Sequence, residues 1–97
     1  MSEYVRVVAF DADEAALEAM LSQINASDTP PEGVPAKRIT VLADRAAGKV
    51  VVAVRFGSEE DLRIGAATLE AMSPPEAGSM RRVSVDSYEV VLDRQAP

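Results

Sequence analysis

Residues 41–56 read VLADRAAGKVVVAVRF, two apolar runs around a polar loop that ends in Gly-Lys. The second run is almost pure valine, whose branched side chain suits extended backbone. The intervening RAAG, residues 45–48, fits a four- or five-residue hairpin loop in which Gly48 takes the positive φ that closes such turns. The stretch therefore reads as an antiparallel hairpin, with strands over residues 37–44 and 49–56. Alternation sends Val50, Val52, Val54 and Phe56 to one side of it and Val51 and Ala53 to the other.

Working outward, YVRVVAF (residues 4–10) is a first strand, with Val5, Val7 and Ala9 on an apolar face and Tyr4, Arg6, Val8 and Phe10 on a mixed one. Between it and the hairpin, Leu17, Met20, Leu21 and Ile24 have helical spacing. That spacing predicts a helix over about residues 12–26, with Asp11 and Glu14 as a capping box. SDTPPEGVPA then breaks regular structure, because its prolines remove donors and restrict their neighbours.

After the hairpin, Ser58 is a good N-cap, and the acids Glu59, Glu60 and Asp61 suit the positive end of a helix. Leu62, Ala66 and Leu69 continue that helix to about residue 72, and Glu59 and Arg63 are spaced for an i,i+4 pair. Gly65 inside it costs about 1 kcal/mol against alanine, which points to close approach by a neighbouring backbone. SPPEAGS ends the helix, and MRRVSVDSYEVVLDR is a last strand whose alternation breaks between Asp86 and Glu89, as at a bulge.

The order βαββαβ, closed by right-handed crossovers, is the ferredoxin-like plan of the α+β class: a four-stranded antiparallel sheet with both helices on one face. At 97 residues the chain, 1–97, forms one domain. Two helices cover one side of such a sheet, yet the hairpin is apolar on both. A second copy packing sheet to sheet would shield the other side, so a homodimer is expected.

Asp44, Arg45, Gly48 and Lys49 at the hairpin, Ser58, Glu59 and Glu60 at the second helix, and Val85, Tyr88, Glu89 and Val90 in the last strand carry a resemblance. In this order they are similar to small actinobacterial-type proteins of the dimeric α/β-barrel class, related to antibiotic-biosynthesis monooxygenase domains. The resemblance implies a dimer with a cavity between sheet and mate. The chain departs from that family where Phe56 ends a strand that often ends in tryptophan, and where PPEGVPAK replaces a Pro-Gly-Phe turn. Catalytic members of the superfamily use tryptophan, asparagine or histidine in the cavity, and this chain has neither tryptophan nor histidine.

Composition removes other functions. Sixteen acids against ten bases give a net charge of −6, which repels phosphate backbones and anionic lipid, and only Arg81-Arg82 clusters. No nucleic-acid or membrane partner is expected. RNA recognition on this sheet plan needs exposed aromatics and a basic surface, which are missing. Without cysteine or histidine, thiolate nucleophiles, histidine-based triads and the usual zinc ligands are absent. DADE at residues 11–14 reads as a helix start rather than a cation site, and RAAG lacks a phosphate-binding pattern, so neither metal nor cofactor is expected. The start MSEYVRVV has no signal-peptide pattern, which makes the cytoplasm the expected location.

Polar residues on otherwise apolar strands form the candidate cavity: Tyr4, Arg6, Thr40, Arg55, Asp86 and Tyr88. A buried arginine is costly without an anion, so Arg6 or Arg55 is expected to pair with Asp86, with Glu89 or with an acidic ligand. The leading expectation is a dimeric barrel that binds a small, partly apolar molecule. The alternatives are a cofactor-independent monooxygenase or isomerase, with Tyr88 and Arg55 polarising an electron-rich substrate, and a purely structural module.

Overall fold

The turn that closes the hairpin is built from its own residues. Gly48 sits at φ +67°, its amide donates to the Arg45 carbonyl (3.3 Å), and the Asp44 carboxylate accepts from the Ala47 amide (3.1 Å). From this turn β2 (Ala36–Asp44) and β3 (Lys49–Phe56) run antiparallel. The computed structural model describes residues 2–26, 33–71 and 80–96. Around the hairpin it places β1 (Tyr4–Ala12), α1 (Glu14–Asn25), α2 (Glu59–Ala71) and β4 (Met80–Glu89).

The strand order is β2-β3-β1-β4 with every neighbouring pair antiparallel, and both helices pack on one face. This is the ferredoxin-like α+β plan expected from the order of elements. SPPEAGS and most of the proline-rich loop lie outside the described residues.

Three local expectations are corrected. Helix α1 is capped by Asp13, whose carboxylate accepts from the Ala16 amide (2.8 Å), and not by Asp11. The sheet ladder claims the residues before it: the Ala12 amide donates to the Gly48 carbonyl (2.9 Å), which extends β1, and Asp11 pairs with Arg81 across β4 (3.0 Å). At α2 the expected cap forms, with Ser58 Oγ accepting from the Asp61 amide (3.1 Å).

The bulge in β4 lies at Val83 rather than between Asp86 and Glu89. Ala9 faces Ser84 and Phe10 faces Arg82, so Val83 is the extra residue, and alternation from Ser84 to Tyr88 is regular. The insertion turns Arg82 and Val85 to the helix side and Ser84, Asp86 and Tyr88 to the other.

Two apolar clusters hold the helices down. Ala16, Leu17 and Met20 of α1 pack with Ala12 and Val50, while Leu62 of α2 packs with Val34, Val54 and Phe56. Phe56 is fully buried, and a Cβ built on Gly65 would lie 2.3 Å from its ring. The close neighbour of Gly65 is thus an aromatic side chain and not a backbone. Gly65→Ala gains about 1 kcal/mol of helix propensity but overpacks the core, a cost of about 1–3 kcal/mol. Urea denaturation of Gly65→Ala is expected to show a lower midpoint, restored when Phe56→Leu is added; a midpoint at or above wild type would contradict this packing.

Candidate functional site

Strand pairing sorts the six candidate residues onto two faces. Tyr4 and Arg6 share the helix face with Val8, Phe10 and Ala12, so β1 buries its mixed side and leaves Val5, Val7 and Ala9 uncovered. Thr40, Arg55, Asp86 and Tyr88 lie on the open face. The structure therefore places four of the six on one face, with Thr40 at one edge of the sheet and Asp86 and Tyr88 at the opposite edge, and sets Tyr4 and Arg6 on the other face.

Arg6 is buried, with 6% of its surface exposed, and donates to Glu70 Oε1 at 2.7 Å. The same oxygen accepts from Arg82, also at 2.7 Å. Helix α2 has no basic residue in its last turn and carries Glu70 there. Two arginines from the sheet thus offset the negative end of the helix as well as the carboxylate. Arg82, with Arg6 assisting, holds the Glu70 carboxyl below the usual carboxylate range despite partial desolvation. Burial pushes the Tyr4 phenol above its ordinary range, and Glu89 and Glu59 add to the shift. Glu59 thus faces Tyr4.

On the open face, Arg55 is held by Glu3 (2.5 Å) and Asp93 (2.6 Å), and Glu3 also accepts from Lys37 (2.5 Å). Asp93 and then Glu3 hold the Arg55 guanidinium above its already high range, while Lys37 and Arg55 keep the Glu3 carboxyl below the usual one. Arg55 therefore pairs with acidic side chains, but with Glu3 and Asp93 in place of Asp86 or Glu89. Glu3 was missed because it precedes the first strand, although its parity matches Val5 and Val7. Asp93 was missed because β4 stops at Glu89, which frees the following residues to cross toward β3.

The open face reads as four rows across β2, β3, β1 and β4. They are Arg38, Arg55, Val5, Tyr88; then Thr40, Ala53, Val7, Asp86; then Leu42, Val51, Ala9, Ser84; and, at the hairpin end, Asp44, Lys49, Asp11, Arg81. The middle of the sheet is a floor of valine and alanine, and its edges and ends are polar. A hollow of about 340 Å³ elsewhere, lined by Gly33, Val34, Pro35, Asp61 and Ile64, contains none of the six candidates. Among the described residues no acidic cluster is arranged to hold a metal ion, and no helix is long and apolar enough to cross a membrane.

No family model, curated protein or solved structure matches this chain. What stands is a small βαββαβ chain with one sheet face covered by helices and the other, among the described residues, without a helix.

Glu3 and Glu70 have carboxyl pKa values depressed in the fold, so each stabilises above its unfolded value, about 4.3, and that stabilisation is lost as pH falls through the lower folded value. The melting temperature is expected to drop below about pH 4.5, and Glu3→Gln combined with Glu70→Gln should flatten that drop; an unchanged acid limb would contradict it. At neutral pH, Glu70→Gln leaves the buried Arg6 without a carboxylate. It is expected to lower the melting temperature, and Arg6→Met in the same chain to recover most of the loss.

Proposed function

We propose that the protein works as a cytoplasmic homodimer whose two open sheet faces enclose a small, partly apolar ligand. One observation carries this reading: Val5, Val7, Ala9, Val51 and Ala53 form an apolar floor that neither helix covers, edged by Thr40, Asp86 and Tyr88. Leu42 and Tyr88, both more than half exposed, extend the same surface. A flat apolar face of this extent favours association.

Facing sheets stand about 10 Å apart, and where the facing side chains are alanine that gap is not filled by protein alone. A ligand with an apolar body and one or two polar groups matches the floor and its polar edge. Arg55, already engaged by Glu3 and Asp93, closes one end rather than offering a free cation. The resemblance to dimeric α/β-barrel proteins related to antibiotic-biosynthesis monooxygenase domains supports the same reading.

Tyr88, exposed on this face, carries a second reading, cofactor-independent oxygenation of an electron-rich substrate. Oxygen uptake with an aromatic quinol, lost in Tyr88→Phe, would favour it; turnover equal to buffer would remove it. For the leading reading, native mass spectrometry of freshly purified protein is expected to show twice the 10.3 kDa chain mass plus a retained small molecule. A single-chain mass at micromolar concentration would contradict it.

A further inference from the structure

The row at the hairpin end alternates in charge. Across the sheet it runs Asp44, Lys49, Asp11, Arg81, that is, minus, plus, minus, plus. Read in reverse the signs are inverted, so the row is complementary to a reversed copy of itself. A two-fold axis parallel to the strands produces that reversal: it lays β2 of one copy over β4 of the other, β3 over β1, and each row over itself. Asp44 then meets Arg81 of the second copy, and Lys49 meets its Asp11.

The other rows obey the same operation. Val7 falls over Ala53 of the second copy and Ala9 over its Val51, so no two large side chains meet in the middle rows and space for a ligand is left there, while Arg55 falls over Val5 at the far end. Under the same operation Thr40 falls over Asp86 of the second copy, a donor over an acceptor, and Arg38 over its Tyr88, a cation over an aromatic ring. Sheets packed in the aligned class stay within about 30° of one another, which keeps central rows in register. A two-fold axis in the sheet plane but perpendicular to the strands also pairs Arg38 with Asp44 and alanine with valine in the middle rows, but it sets Arg55 over Lys49, two cations, and Val5 over Asp11, and so leaves Lys49 facing a like charge.

Within one chain the ladder is incomplete. Arg81 reaches Asp11 at 3.0 Å, while Lys49 has no ion-pair partner among the described residues. We propose that the homodimer forms about a two-fold axis parallel to the strands, with Asp44–Arg81 and Lys49–Asp11 pairs between copies sealing the hairpin end. This rests on the homodimer reading above and adds to it the orientation of the two copies. The ligand space then lies between that ladder and the Arg55, Glu3 and Asp93 cluster.

Asp44 and Arg81 sit on opposite edges of the sheet, three strand spacings or about 14 Å apart, so they have no means of pairing within a chain. Asp44→Lys and Arg81→Glu proteins are prepared separately, checked for folding by circular dichroism, and mixed. Each alone places two like-charge contacts in its homodimer, and its dimer dissociation constant is expected to rise at least about tenfold. The mixed dimer restores opposite charges at both contacts, so native mass spectrometry should find more than about nine-tenths of dimers mixed, against about half by statistics. A statistical mixture, or single variants that dimerise as tightly as wild type, would overturn the orientation. A monomeric wild type would instead overturn the homodimer reading itself.

Should Asp44→Lys not fold, cysteines test the same geometry, because the chain has none of its own. Thr40→Cys and Asp86→Cys proteins treated with a short bis-maleimide are expected to cross-link to each other and not to themselves. Self-linking, or no product in the mixture, would overturn the proposed axis.

Discussion

A four-stranded sheet has two faces, and among the described residues this chain has helices for only one. Every other feature follows from that constraint. On the covered side, α1 presses Leu17 and Met20 against Ala12 and Val50, and α2 approaches so closely that Phe56 occupies the place of a side chain at Gly65. On the other side the chain places short side chains in the middle and charges at the ends.

The choice of face on β1 shows what each side requires. Hydrophobicity alone would bury Val5, Val7 and Ala9, yet the buried side holds Tyr4, Arg6, Val8 and Phe10. The gap between sheet and helix calls for long side chains, which the aromatics and Arg6 supply, and Glu70 with the carbonyl end of α2 makes the buried guanidinium tolerable. Valine and alanine are too short to fill such a gap, and they lie on the face that carries no helix among the described residues. The more uniformly apolar face of β1 is thus the one the helices leave uncovered.

How much of this was legible in the sequence depended on the range of the interaction. Hairpin, helices, order and sheet plan followed from period and turn residues, which act locally. Which residues alternate together within β3 was legible, since parity is a local property. Which sides of different strands share a face was not, and only strand pairing separates Tyr4 and Arg6 from Thr40, Arg55, Asp86 and Tyr88. Nor were partnerships legible. Arg6 finds Glu70 at a separation of 64 residues, and Arg55 finds Glu3 at 52. The bulge at Val83 was hidden because Val83 and Val85 look in phase, although the inserted residue reverses the sides of everything before it. Asp11 lost its expected capping role because ladder pairing extended β1 through Ala12, which left Asp13 to cap the helix.

The claim that the valine and alanine floor is covered by a second copy is open to a direct measurement. Methyl NMR with a soluble paramagnetic agent reports how closely solvent approaches each valine. The methyls of Val7 and Val51 are expected to be shielded at high protein concentration and to lose that shielding on dilution, while Val91, which is 86% exposed, relaxes strongly throughout. Val7 and Val51 are half-buried within one chain and so less open than Val91 at any concentration; the same relaxation of both across the dilution series, in a chain that sediments as a monomer throughout, would contradict the homodimer.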